Sequence, residues 1–205
     1  MLEHVPAWLG RLLADRRAGP DKLVAARADM AAPPDAALQL TSPAFADGAR
    51  LPDRFTADGA GVSPPLTWTG APADAMLVLV VEDPDAPASQ PLVHAIAWGL
   101  SGDSGRLAEG ALSGDQPDTG VVVGRNSFLR TGWLSPDPPT GHGEHRYAFQ
   151  LFAVMPGATD PGETPGRQAV IEAVAGKVLV ADVLIGTYSR GEERPVGPVG
   201  AAAPA

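Results

Sequence analysis

The chain has no cysteine and only two lysines among its 205 residues. Without cysteine it forms no disulfide and offers no thiolate to a metal ion and no thiol nucleophile. Its 15 basic residues face 24 acidic ones, which leaves a formal charge of −9. An acidic surface repels nucleic-acid phosphates, so we expect no nucleic-acid partner.

Long hydrophobic runs are also missing. No apolar stretch reaches the roughly 18–20 residues that a membrane-spanning helix requires. The first residues, MLEHVPAWLGRLLADRR, carry an acid at Glu3 and lack the basic start of a signal peptide. The sequence therefore predicts a cytoplasmic protein with no membrane span.

Glycine and proline are abundant, with 24 and 22 residues, and they separate short apolar runs. Such runs without intervening helical crossovers favour an antiparallel β-sandwich or barrel. The predicted strands are MLVLVVE (76–82), LVHAIAW (92–98), GVVVG (120–124), RYAFQLFAVM (146–155) and VLIGTYSR (183–190).

Helical spacing occurs at both ends of the chain. Near the C-terminus it predicts a helix over 167–180, which Gly176 would stop or kink. Near the N-terminus a second helix is expected to open at Pro20. The first helix carries an apolar stripe that consists of Val5, Trp8, Leu9, Leu12 and Leu13.

A short amphipathic helix cannot bury its stripe alone, so we expect the stripe to dock on the main domain or across a homodimer. We divide the chain into a helical extension with linker (1–37), a β-domain (38–190) and a disordered tail (191–205).

Two acids in EDPDAP (82–87) precede a strand that carries His94. Asp83 and Asp85 could cap a turn, or act as general acid and base of a hydrolase. Strict alternation places His94 on the same face as Ile96 and Trp98, where it would be either a core residue or part of a site.

A second polar stretch, PDPPTGHGEHRYAF (136–149), enters the clearest strand. His145 and Tyr147 share one strand face and Arg146 points to the other. An imidazole and a phenol beside a Gly/Pro turn are typical of a small-anion site. The alternative is a hairpin loop with polar residues that have no binding role. His142 and His145 could also contribute to a metal site.

Taken together, these stretches resemble the phosphatidylethanolamine-binding protein family, in its bacterial Raf-kinase-inhibitor-like branch. The resemblance covers about residues 38–190. It rests on the ordered series SPAFADGARLPDRFTADGAGVSPPLTW (42–68), DPDAP (83–87), VHAIAW (93–98), GRNSFLRTGW (124–133), PPTGHGEHRYAFQLFAV (138–154) and VLIGTYSR (183–190).

The resemblance implies a mainly β fold, a two-sheet antiparallel Greek-key-like sandwich, with an anion pocket at one end. It implies that Asp85, Pro87 and Arg146 shape the loops, with a cis bond before Pro87. It implies no cofactor and no metal. Because the resemblance extends to proteins that modulate kinases and proteases, it also implies a possible protein partner of that kind. The ligand-binding residues that it implies are Asp83, His94, Pro139, His145 and Tyr147.

Two positions depart from the family pattern. Ala95 replaces an aromatic residue and Asp137 a small one, which predicts a wider or more acidic pocket. We expect the Asp83 carboxylate to raise the pKa of the pocket histidines, and the imidazolium form to bind the anion.

The leading hypothesis is a protein that binds a phosphate-like or phospholipid-head-group-like anion, with no enzymatic activity. One alternative is a hydrolase, metal-dependent or using acid–base catalysis, built on the Asp/His/Tyr cluster. The other is an interaction module that acts through its N-terminal helices.

Overall fold

The apolar runs form two antiparallel sheets in the computed structural model, which describes residues 7–30, 37–102, 105–114 and 121–191. The mainly β prediction is confirmed. The larger sheet has the order β6-β4-β3-β7-β8 and the smaller one the order β1-β2-β5. The strands are β1 (Gln39–Thr41), β2 (Leu66–Thr69), β3 (Met76–Asp83), β4 (Leu92–Ser101), β5 (Arg106–Leu107), β6 (Val122–Val123), β7 (His145–Val154) and β8 (Val178–Tyr188), and the α-helices are α1 (Ala7–Leu13) and α2 (Arg167–Val174).

Strand β7 shows why the larger sheet is stable, since all ten of its residues are buried. One face, with Phe149 and Leu151, packs against the smaller sheet. The opposite face, with Phe152, packs against α2 and the N-terminal extension. The sheet is therefore covered on both sides, and its two apolar faces supply most of the burial that stabilises the fold.

The N-terminal extension belongs to the second of these cores. Val24 and Met30 are each 1% exposed and lie in one cluster with Val78, Ile96 and Val174. The extension is thus packed on the β-domain of its own chain. The stripe of α1 is covered less well, since Trp8 is 66% and Leu12 71% exposed.

The predicted second helix from Pro20 is wrong. The segment forms three single turns of 3₁₀ helix instead, Pro20–Lys22, Val24–Ala26 and Ala28–Met30. The backbone N–H of Val24 donates to the Glu82 carboxylate at 2.9 Å, and that of Ala25 to Gln150 Oε1 at 2.7 Å. Because buried side chains of the sheet take these donors, the α-helical hydrogen bonds do not form.

The predicted C-terminal helix is shorter than expected, because α2 ends at Val174. Gly176 follows with φ +68°, a conformation that favours glycine after a helix. Residues 178 and 179, which continue the helical spacing, instead begin β8.

A β-bulge at His94 corrects the predicted orientation of that residue. Val81 pairs with Ala95 and Glu82 pairs with Val93, so His94 is the extra residue on β4. A bulge shifts the alternation by one residue. His94 therefore faces the inter-sheet side, opposite Ile96.

Most of the predicted linker (31–37) and tail (191–205) lies outside the described residues. The domain boundaries therefore stay predictions. In the part of the chain that the structure describes, no helix has the length and apolar character needed to cross a bilayer.

Candidate functional site

One end of the larger sheet opens into a cavity of about 440 Å³. Antiparallel pairing places the last residue of β3, Asp83, beside the first residue of β7, His145, and the bulge of β4 adds His94. The cavity is lined by Ala57, Asp83, Ala86, Pro87, Leu92, His94, Asn126, Phe128, Arg130, Thr131, Trp133, Leu134, Ser135, Asp137, Pro138, Pro139, His145 and Tyr147.

The structure brings together all five residues predicted to bind the ligand, since Asp83, His94, Pro139, His145 and Tyr147 line this cavity. Of the residues predicted to shape the loops, Pro87 also lines it. The other two, Asp85 and Arg146, are buried and bind each other through two hydrogen bonds of 2.7 Å between their side chains.

His145 is held by a buried hydrogen-bonded chain that runs into the N-terminal extension. Its Nδ1 donates to Asp83 Oδ2 at 2.7 Å, and its Nε2 lies 2.7 Å from Nδ1 of His142. Nε2 of His142 in turn donates to the Leu13 carbonyl at 2.8 Å. Both nitrogens of His145 are thus engaged, so the side chain has no free N–H for a ligand.

The number of protons in this chain follows from its acceptors. The Leu13 carbonyl and the Asp83 carboxylate accept only, so the facing ring nitrogens are protonated. A hydrogen bond between Nδ1 of His142 and Nε2 of His145 requires a third proton on the two rings. Burial, the charge of His145 and Arg17 lower the pKa of His142, which leaves that ring neutral. Nδ1 of neutral His142 is then the acceptor in its contact with Nε2 of His145.

His94 has one satisfied and one unsatisfied nitrogen. Its Nδ1 donates to the Leu134 carbonyl at 2.6 Å. Its Nε2 is buried and has no hydrogen-bond partner among the described residues. The ring packs edge-on against Tyr147, with 5.0 Å between centroids. A buried polar atom without a partner in a cavity wall is a place where a ligand atom is expected.

The pKa of His94 moves against the expectation from sequence. Burial lowers it below its ordinary value, and this effect outweighs the Asp83 carboxylate, which acts in the opposite direction. The ring is therefore neutral near pH ~7 and its Nε2 is a hydrogen-bond acceptor. Burial also raises the pKa of Tyr147 well above its ordinary value, so its phenol remains a donor.

The Asp85 carboxylate in the DPDAP loop binds two arginines, one of which belongs to the extension. Arg17 lies 2.8 Å from the Asp85 carboxylate, which also accepts a hydrogen bond from the Arg146 guanidinium. Burial alone would raise the pKa of Asp85, but the hydrogen bonds from Arg146 and Arg17 hold it below its ordinary value.

The expected cis bond before Pro87 is absent, since no cis peptide bond occurs among the described residues. The Ala86 carbonyl accepts from the backbone N–H of Ala18 at 3.0 Å and of Ala88 at 2.7 Å. The extension thus contacts this loop through a backbone hydrogen bond.

The two positions that depart from the family pattern lie differently relative to the cavity. Ala95 is fully buried in the inter-sheet core and is not among the described residues that line the cavity. Asp137 lies on the cavity wall, but Arg190 binds its carboxylate, which offsets the added negative charge. Arg190 also binds both oxygens of Asp58 at 2.6 Å.

Sequence reasoning missed two residues that support the site. No sequence pattern singles out Arg17, and the pattern around His142 indicates only a possible metal ligand. The spacing of three between His142 and His145 was a usable signal for their contact. No local pattern points from Arg17 to Asp85, because 68 positions separate them in the chain.

Comparisons with known proteins agree with this geometry. The family model for phosphatidylethanolamine-binding protein matches residues 41–189. The chain belongs to the phosphatidylethanolamine-binding protein family. A UPF0098 protein of Methanothermobacter thermautotrophicus is 38% identical over 155 residues, which cover 75% of this chain and 100% of the relative.

Two solved structures place the chain in the bacterial branch of this family. The phosphatidylethanolamine-binding protein homologue CT736 of Chlamydia trachomatis superposes with a TM-score of 0.68 at 35% identity, covering 76% of this chain and 99% of that one. YbcL of E. coli gives a TM-score of 0.66 at 26% identity, covering 74% and 98%.

The family match includes every cavity residue predicted from sequence but not the extension, since it begins at residue 41. Another relative, LppC of Mycobacterium tuberculosis, is 39% identical over 163 residues, which cover 77% of this chain and 75% of the relative. Its name describes it as a lipoprotein, so the cytoplasmic location of this chain stays a prediction.

Proposed function

We propose that the cavity binds a small anion of the phosphate class that carries a proton of its own, such as a phosphomonoester monoanion. The observation that supports this most directly is the buried, unpartnered Nε2 of His94. As an acceptor on a neutral ring, it pairs with a ligand hydroxyl. A P–OH group supplies that donor, while the remaining phosphate oxygens accept.

The other walls of the cavity fit the acceptor oxygens of such a ligand. Tyr147 presents a phenol that stays protonated, and Arg130 brings a guanidinium to the lining. The Asp83 carboxylate is directed at His145, whose Nδ1 donates to it at 2.7 Å, so this hydrogen bond partly offsets its repulsion of an anionic ligand. The cavity therefore offers donors and one acceptor, which is the complement of a singly protonated phosphate.

The hydrolase alternative finds less support in this geometry. The four ring nitrogens of His142 and His145 are all engaged in hydrogen bonds, so neither histidine presents a free lone pair to a metal ion. A regulatory role toward a kinase or protease, implied by the family resemblance, stays a prediction.

The experiment compares methyl phosphate with dimethyl phosphate by titration calorimetry. Methyl phosphate should bind more weakly at pH ~8 than at pH ~5.5, because it loses its P–OH proton near pH ~6. Dimethyl phosphate has no P–OH donor and should bind more weakly than methyl phosphate at the lower pH.

His94→Asn is the matched variant, because the Asn amide can still donate to the Leu134 carbonyl but nothing replaces Nε2. It should weaken methyl phosphate binding by roughly 2- to 12-fold, the value of one hydrogen bond to a neutral acceptor. Met155→Ser, at the opposite end of β7, serves as the control. Equal affinities for both esters, together with an unchanged affinity in His94→Asn, would rule out the proposal.

A further inference from the structure

The loop formed by residues 125–131, here called the tip loop, exposes two large apolar side chains beside the cavity mouth. Phe128 is 56% and Leu129 78% exposed. Phe128 also lines the cavity, so the exposed pair and the cavity share one rim. Adjacent exposed side chains of this size at the edge of a binding cavity mark an interaction surface.

The tip loop holds these side chains in place. Asn126 Oδ1 accepts from the backbone N–H of Phe128 at 3.0 Å and of Arg130 at 3.3 Å, and its Nδ2 donates to the Gly132 carbonyl at 3.1 Å. Ser127 exchanges hydrogen bonds with the backbone of Val93, at 2.8 and 3.0 Å. The exposed pair is therefore presented by a well-bonded turn rather than by a loose end.

The backbone conformation of Leu129 is a second indication that its exposed side chain serves a contact. Its φ is +60°, which makes it the one positive-φ residue other than glycine among the described residues. Glycine and asparagine adopt this left-handed conformation more readily than leucine does. Neither backbone preference nor burial in its own chain favours leucine here, so the side chain is expected to serve an external contact.

Charge indicates what that contact is. The segment VVVGRNSFLRTGWLSP (121–136) contains Arg125 and Arg130 and no acid, in a chain whose formal charge is −9. Both arginines are exposed and flank the apolar pair. Apolar side chains framed by arginine are suited to the interface of an anionic bilayer, where the former insert among the acyl chains and the latter contact the head groups.

We propose that the tip loop docks the protein onto an anionic lipid surface by inserting Phe128 and Leu129, with Arg125 and Arg130 at the head-group level. The chain then lies on the membrane without spanning it. This orientation turns the mouth of the cavity toward the lipid head groups.

The test is co-sedimentation of the full chain with vesicles of phosphatidylcholine mixed with phosphatidylserine, and with vesicles of phosphatidylcholine alone. Native protein should bind the mixed vesicles more tightly, and salt should weaken this preference by screening the arginines. Leu129→Asn should lower the partition coefficient by about tenfold, the value of shallowly burying one leucine. Arg125→Gln should reduce the preference for the anionic vesicles.

Three controls separate docking from folding and from ligand binding. Leu129→Asn should keep or raise the melting temperature, since asparagine accepts φ +60°. It should leave methyl phosphate affinity unchanged, so failure here and failure of the cavity proposal are distinct results. Met155→Ser removes an apolar side chain that is 47% exposed elsewhere and should bind vesicles like native protein.

Two outcomes would overturn the docking proposal. One is that native protein does not sediment with the mixed vesicles, or sediments with them no better than Leu129→Asn does. The other is that Leu129→Asn no longer self-associates in sedimentation equilibrium but binds vesicles as native protein does. That result would assign the tip loop to a protein interface.

Discussion

His94 combines a fixed tautomer with a lowered pKa, and both properties come from its position in the bulge. Its Nδ1 is held by the Leu134 carbonyl, and burial penalises the charged ring. Between its lowered pKa and the ordinary value near ~6.5, the folded state binds fewer protons than the unfolded state. Acidification through this range therefore destabilises the fold.

We predict that the free energy of unfolding falls less steeply from pH ~7 to pH ~5 in His94→Asn than in native protein. The stabilisation due to neutral His94 is present above pH ~6.5 and is lost as the pH falls below it. His142, whose pKa is also lowered, contributes with the same sign in both proteins, so their difference isolates His94. Urea unfolding at several pH values measures this, and parallel curves would contradict the prediction.

At the scale of elements, the extension binds two of the loops that line the cavity. Arg17 contacts Asp85 in the DPDAP loop at 2.8 Å and donates to the Glu144 carbonyl, before β7, at 2.9 Å. Leu13 accepts from His142 in that second loop. The segment outside the family match is therefore part of the structure that supports the cavity.

Replacing Arg17 by alanine should destabilise the protein by about 1.5–3 kcal/mol, because hydrogen bonds to a buried charged group are lost. Asp85 keeps Arg146 as a partner, which limits the loss. The neighbouring Arg16 is exposed, so Arg16→Ala should change stability by no more than about 0.5 kcal/mol. Urea denaturation of both variants provides the comparison. Equal effects would mean that the Arg17 contacts contribute nothing specific.

For the molecule as a whole, the uncovered stripe of α1 keeps the homodimer prediction open. Trp8 and Leu12 are exposed within the single chain, whereas their helical spacing predicts an apolar contact. We expect native protein to self-associate through this face and Trp8→Ser to shift it toward monomer. Sedimentation equilibrium measures the shift, with Leu129→Asn as the comparison variant. A native protein that is monomeric throughout the accessible concentration range would refute this prediction.

The sequence alone determined the mainly β fold and the family. Short apolar runs separated by Gly and Pro, without intervening helical crossovers, indicate antiparallel strands. The ordered DPDAP and HRY stretches carry the family resemblance, and their residues do line one cavity. Local pattern was sufficient for both, since each depends on neighbours within a few positions.

Only the tertiary structure decided the electrostatics and the role of the extension. The bulge that turns His94 toward the cavity depends on pairing with β3, and its lowered pKa depends on burial among residues distant in sequence. The 3₁₀ turns after Pro20 replace an α-helix because Glu82 and Gln150 take backbone donors of the extension. Such contacts join residues that are far apart in the chain, and neither periodicity nor composition records which distant partner a buried polar group finds.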